Sequence, residues 1–393
     1  MTTRRDALQM LASLAALGGA PRLALAAPSA AERRLVFVFL RGGMDGLSAV
    51  PAWGDREYAP RRGALAIGAP GTPGGALDLD GHFGLHPHLA ELHRLYGARE
   101  LAVLHAVATP YRDRSHFDAQ NLLENGTAKP FGRDSGWLNA ALGAGSASAG
   151  LALGQSIPLV LRGPARVSSW SPSRMPAPDA DLLERLAELY KGDPLLARSF
   201  AAAREAQAMM ESRDGGGGMG GAPQPALVLA RAAGEILGKR EGPRVASIDL
   251  GGWDTHIGQL GEFGQLARSL RQLDRGIATL KEALGPAWKH TAVLVVTEFG
   301  RAVAPNGSGG TDHGTAGAAF VAGGAVRGGR VIADWPGLAT AALHEGRDLR
   351  PTLDLRALFK AALVAQLGLD EAALETQVFP GSRGVKPLDG VFA

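Results

Sequence analysis

"TAVLVVTEFGRAVAPNGSGGTDHG", residues 291–314, decides how the rest of the chain is read. Its apolar, β-branched run, residues 292–296, breaks into a carboxylate at Glu298 and a guanidinium at Arg301. A Gly/Asn/Ser loop then leads to Asp312-His313-Gly314. An unbroken Val/Leu run marks a strand buried on both faces, as in a parallel sheet, and open α/β sheets gather their ligands beyond the carboxyl ends of such strands. The stretch therefore predicts a central strand that delivers acid, base and cation to the place where α/β enzymes keep their sites.

Other runs of the same kind can be asked what they send there. Residues 34–40, "RLVFVFL", read as a second central strand ending in "RGGMDG", where glycines turn the backbone and leave Asp45 at the strand end; Asp-Gly is equally a common turn pair. Residues 100–108 read as a third strand, followed by "TPYRDRSHFDAQNLLENG". There Ser115 opens a helix that Asn125-Gly126 stops. Serine at that position is either an N-cap or a nucleophile facing the helix dipole, and Arg112, Arg114 and His116 crowd it more than a cap requires. Residues 245–250 are a strand that turns through "GGWDTH", carrying Asp254 and His256, into a long helix with Leu266, Leu270, Leu273, Ile277 and Leu280 on one face. "AAFVAGGAVRGGRVIADWP" holds two further short strands, and residues 350–367 read as a helix.

The bulk numbers agree with one large α/β unit. The 393 residues are 46% hydrophobic and 20% charged, an ordinary globular balance with ample material for a core. Fifty-five glycines and 24 prolines predict long irregular connections. Of the net charge of +3, the leader accounts for +2, from Arg4, Arg5 and Arg22 against Asp6. No basic block interleaved with aromatics appears, which speaks against nucleic-acid binding. The absence of cysteine excludes disulfides, thiolate metal sites and cysteine nucleophiles, so a metal must be held by His, Asp, Glu or other oxygens.

Residues 1–27 read as an export signal and not as part of the fold: twin arginines Arg4-Arg5, a short apolar stretch, and "ALAA" at the end. That predicts passage through the twin-arginine translocase into the periplasm or medium, and no stable membrane span in the mature chain. Residues 28–393 read as a single domain with an insertion or cap over about 129–240, in which "SIPLVLRG" suggests a strand and "DGGGGMGGAPQP" a linker. His82, His86 and His88 are a rival metal cluster, though no nearby carboxylate completes it.

Carboxylates and histidines at separate strand ends, with a serine at a helix start, are what a one- or two-metal oxyanion site needs. Here "RGGMDGLSAVP", "RSHFDAQNLLENG", "GGWDTH", "TEFGR" and "GTDHGTAGAAFVAG", after the twin-arginine start, resemble the exported proteins called domain of unknown function 1501, over essentially the whole mature chain. The resemblance implies the alkaline phosphatase–sulfatase superfamily: a doubly wound, mostly parallel sheet sandwiched by helices. It implies Ser115 as nucleophile and Asp45, Asp254, His256, Glu298, Asp312 and His313 as candidate metal ligands, His313 standing where the superfamily has the last histidine of a site. The implied metal is divalent, zinc first, with calcium, magnesium or manganese as alternatives, and one or two ions. Arg301, Arg112 and His116 are then assigned to substrate oxygens. Where the superfamily has Asp-His, this chain has Glu298-Phe299, which removes a nitrogen ligand. The expected activity is hydrolysis or transfer of phosphate or sulfate esters, with a small molecule or glycan as substrate; the alternative is a non-hydrolytic metal- or glycan-binding or assembly protein on the same fold.

Overall fold

A computed structural model describes residues 32–145, 149–172, 180–211, 225–259, 261 and 263–393. The expected export signal and most of the Gly-rich stretch lie outside them. Eleven strands are present among these residues: β1 Arg34–Leu40, β2 Leu77–Asp78, β3 Gly84–Leu85, β4 Leu101–Ala108, β5 Gly150–Leu153, β6 Val167–Trp170, β7 Val245–Leu250, β8 Thr291–Val296, β9 Gly317–Ala322, β10 Arg330–Ile332 and β11 Leu353–Asp354. Nine form one sheet in the order β10-β4-β9-β8-β1-β7-β5-β6, with β11 also on β4, while β2 and β3 make a separate ribbon. β1 pairs in parallel with both β7 and β8, and β9 is antiparallel to β4 and β8. The fold class is thus the doubly wound, mostly parallel sheet flanked by helices.

The central strands are buried because both of their faces are covered. Along β1, Val36, Val38 and Leu40 face one core with the helices Pro225–Leu237 and Gln265–Leu284, while Leu35, Phe37 and Phe39 face the other with Trp137–Ala144 and Leu355–Leu367. Period-two alternation therefore leaves no polar face, and the sequence shows an unbroken apolar run. On the second face Trp137 stacks on Phe359 at 4.8 Å between centroids and meets Phe37 edge-on at 5.4 Å.

The stretch 129–240 contributes two of the sheet's strands, β5 and β6, beside β7. "SIPLVLRG" is not a strand: Leu159–Leu161 form a 3-10 turn after Pro158, with Val160 and Leu161 still buried. Proline cannot donate to a ladder, and the apolar triplet is satisfied by packing against the helix before it. No helix among the described residues is long and apolar enough to cross a membrane.

The carboxyl ends of β1, β4, β7 and β8 lie along one rim of the sheet, and antiparallel β9 starts on that same rim. Residues 41–45, 109–116, 251–256, 297–301 and 311–316 are brought together there.

Candidate metal centre

Four side chains converge at this rim. His116 begins the helix His116–Asn125, Asp254 and His256 follow β7, and His313 precedes β9. His313 Nε2 lies 3.0 Å from His116 Nε2 and 2.8 Å from His256 Nε2. The Asp254 carboxylate is 3.1 Å from His256 Nε2, 3.5 Å from His313 Nε2 and 3.6 Å from His116 Nε2. One ligand atom each from His116, Asp254 and His313 can be chosen so that all lie within 4.8 Å of one another.

The outer nitrogens of the three rings each face an acceptor. His116 Nδ1 meets Glu298 Oε1 at 2.8 Å, His313 Nδ1 meets the Arg114 carbonyl at 2.9 Å, and His256 Nδ1 meets Asp312 Oδ1 at 3.4 Å. With protons on those Nδ1 atoms, the Nε2 lone pair of His313 faces those of both His116 and His256. Lone pairs at that spacing repel unless a proton or a cation sits among them, and a carboxylate or carbonyl behind an imidazole is the usual support of a metal-bound histidine. Three imidazole nitrogens with one carboxylate also form a donor set suited to zinc.

Main-chain packing fixes the four loops. Gly300 N–H donates to Thr315 O, Ala302 N–H to Asp312 O and Gly314 N–H to Gly300 O, so "TEFGR" and "TDHG" pair antiparallel and bring His313 alongside Arg301. Arg301 is buried and donates to five acceptors: the carbonyls of Gly42, Gly43, Trp253 and Thr311, and the Asp254 carboxylate. It ties the ends of β1, β7 and β8 together. Gly42 and Gly43 both have positive φ, and the approach is close: a Cβ on Gly42 would sit 2.6 Å from Asp254 N, and one on Gly43 would sit 2.8 Å from the Phe299 ring. Phe299 is buried against two of the imidazoles, 4.7 Å from His116 and 5.1 Å from His313 between centroids. The departure from Asp-His thus removes a donor and supplies a wall that restrains the rings.

Electrostatics follow from the same contacts. Burial raises the Glu298 carboxyl, but hydrogen bonds from His116, Gln120 and the Gly42 N–H more than offset it, so it stays ionised below the usual range. Partial burial raises Asp254, and the Arg301 guanidinium outweighs it. Asp312 is held low chiefly by the Asn306 amide. Burial and the neighbouring His116 lower His313, which favours the neutral ring that can ligate.

Other expected site residues fall elsewhere. Asp45 is buried as the N-cap of the turn Gly46–Ala49, accepting from the N–H groups of Leu47 and Ser48 and from Ser48 Oγ, and it pairs with buried Arg62 and Gln259. The turn reading describes it, and among the described residues no hydrogen bond or ion pair joins it to the cluster. Glu298 stands behind His116 and not beside the converging Nε2 atoms, and Asp312 stands behind His256. Arg112 donates to the carbonyls of Thr109 and Tyr111 in its own loop. Arg301, with its contacts taken by the protein, braces the loops. Ser115 precedes His116 at the helix start and makes no capping hydrogen bond. His82, His86 and His88 do not gather with a carboxylate into a ligand group among the described residues.

Sequence reading assigned His116 to substrate. The signal for its place here is the i,i+4 pair His116/Gln120, which puts both side chains on one helical face, and both meet Glu298 Oε1 at 2.8 Å. Arg114, read from the sequence only as charge beside Ser115, acts through its main chain. Its backbone is left-handed, φ 59°, and its side chain is clamped by Asp348 at 2.8 Å and by Glu345, which fixes the carbonyl offered to His313.

No curated protein matches the chain. Several solved structures are similar at low identity. Ps i-CgsB in complex with k-i-k-neocarrahexaose is 11% identical, with a TM-score of 0.43, covering 90% of this chain and 77% of that one. The PsFucS1 sulfatase from Pseudoalteromonas sp. is 15% identical, with a TM-score of 0.39, covering 98% and 74%. The lipoteichoic acid synthase LtaP from Listeria monocytogenes is 12% identical, with a TM-score of 0.38, covering 88% and 76%. A family model matches residues 99–378, and the chain belongs to that family, described as protein of unknown function DUF1501.

Proposed function

We propose that the protein is an exported, metal-dependent hydrolase of phosphate or sulfate esters. The observation that carries this reading is the convergence of three Nε2 atoms and the Asp254 carboxylate, each imidazole backed by an acceptor at Nδ1. His116, His256, His313 and Asp254 would hold one divalent ion, zinc first. One ion fits better than two, because Asp45 and Glu298 already serve other partners. Such an ion supplies Lewis acidity to a phosphoryl or sulfuryl oxygen. Glu298, the Arg114 carbonyl and Asp312 keep the Nδ1 protons in place and so hold the ring orientations. Asp254 and His256 are 48% and 39% exposed, which leaves the centre open to a substrate. Ser115, one residue before a ligand and free of capping duty, is the nucleophile of this proposal. The twin-arginine start supports a reaction in the periplasm or medium.

A second reading has one observation in its favour. The arginines in contact with the site's residues are committed: Arg301 to five protein acceptors, Arg114 to Asp348 and Glu345, and Arg347 to Asp348 and the His313 carbonyl. A dianionic ester would find little cationic help beyond the ion, which suits a metal-binding protein without turnover. The deciding experiment measures zinc content, then hydrolysis of p-nitrophenyl phosphate, bis-p-nitrophenyl phosphate and p-nitrophenyl sulfate by wild type, Ser115→Ala and His313→Ala. The hydrolase reading expects turnover that falls at least about a hundredfold in both variants. Bound metal with equal or no turnover in all three proteins overturns it and leaves the binding reading.

A further inference from the structure

A cavity of about 340 Å³ lies apart from the metal centre, and no residue of the converging group lines it. Its apolar wall includes Leu65, Ile67, Pro87 and Leu266; its polar wall is Ser48, Gln259, His86 and His88. The volume falls in the range of small-molecule sites, which pair an apolar wall with few polar groups.

The polar groups differ in what they can offer. Ser48 Oγ donates to Asp45 and accepts from Arg62 at 2.7 Å and Gln259 at 3.2 Å. The Gln259 amide donates to Asp45 and Ser48, and its oxygen accepts from Thr255 and Thr311 at 2.9 Å each. Both side chains are saturated, and the buried Asp45–Arg62 pair locks them in place. His86 is different. Its Nδ1 accepts the His88 N–H at 3.1 Å, so the ring proton is on Nε2, and no hydrogen bond to that atom is found among the described residues. Burial, with His88 and Arg271 nearby, pushes the His86 pKa down to about 3, so the ring is neutral.

We infer that this cavity is a second binding site, for a small, uncharged, mostly apolar molecule carrying one hydrogen-bond acceptor such as a ketone, ester or ether, which His86 Nε2–H recognises. A charged ligand is disfavoured: His88 Nε2 is engaged by Arg271 at 2.8 Å, and the neutral His86 donor cannot offset the desolvation of an ion against apolar walls. The site is independent of the reaction proposed for the metal centre.

The test titrates the full chain with 2-acetylnaphthalene and with 2-ethylnaphthalene, which lacks the acceptor. Wild type should bind the ketone saturably at one site, about three- to tenfold more tightly than the hydrocarbon. His86→Phe should abolish that preference while still binding both. Ala64→Trp, at an exposed position on the cavity wall, should weaken both by at least about tenfold. Thermal melts check that the variants are folded. Absence of saturable ketone binding to wild type, an unchanged preference in His86→Phe, or unchanged affinity in Ala64→Trp each overturns the inference.

Discussion

Replacing Glu298 by glutamine separates a residue that orients a ligand from one that is a ligand. Glu298 is fully buried; its Oε1 accepts from His116 Nδ1 and Gln120 at 2.8 Å and from Gly42 N–H at 2.9 Å, and its Oε2 meets Thr297 Oγ1 at 2.9 Å. An amide of the same shape can keep its oxygen at the Oε1 position and all three of those bonds. Its NH2 then faces Thr297, whose hydroxyl can accept while still donating to Leu40 O at 2.8 Å. The fold should therefore survive Glu298→Gln. What disappears is the charge behind His116, which makes the imidazole a better donor to a cation. Loss of such a partner lowers metal affinity about 10- to 100-fold, equivalent to roughly 1.4–2.7 kcal/mol. The assay is competition for zinc against a chelator of known affinity, with circular dichroism to confirm folding. Unchanged affinity would refute the argument that Glu298 tunes His116. Complete loss of zinc in a folded variant would restore Glu298 as a direct ligand.

Asp45→Asn strands the guanidinium of Arg62, whose side chain is 0% exposed against 1% for Asp45, so it should destabilise the protein by about 3–5 kcal/mol in urea titration while leaving bound metal unchanged. Burial raises Asp45, but Arg62 and its hydrogen bonds bring it below the ordinary carboxylate range. Wild type should therefore keep this contribution above that range and lose it only as pH falls through the lowered folded value. Two buried histidines act in the same sense over a higher pH window: burial lowers His86 to about 3 and His105 to about 4. Between those values and about 6.5 the unfolded chain binds protons that the folded chain refuses, so stability should fall as pH is lowered through that window, by roughly 2 kcal/mol per histidine at pH 5. Urea midpoints that do not move between pH 7 and 5 would contradict it.

The fold was legible where burial on two faces left an unbroken apolar signature. β1, β4, β7 and β8 could be read from their own residues, and so could the strand-end location of Asp254, His256 and His313. "SIPLVLRG" failed because an apolar triplet with a proline is compatible with a turn that buries the same side chains, and periodicity over three residues cannot distinguish the two. The roles within the site were less legible. Whether a carboxylate touches the cation or stands behind a histidine depends on contacts such as His116–Glu298, 182 residues apart in sequence. The motif directed attention to Ser115, whereas His116, one residue on, is the side chain that reaches the centre. Asp45 reads locally as a turn residue and as a ligand only through the family resemblance; the buried Arg62 beside it favours the turn, and nothing in the spacing of those two residues announces a pair.

The five bonds of Arg301 bear on how the centre meets a ligand. Because one guanidinium fastens the ends of β1, β7 and β8, those loops cannot open separately, and the conformational entropy of bringing them together is lost during folding. Uptake of an ion then requires little further ordering of the chain. The same bracing limits adjustment to differently shaped substrates, so selectivity would have to reside in side chains around the opening, which can vary without disturbing the frame.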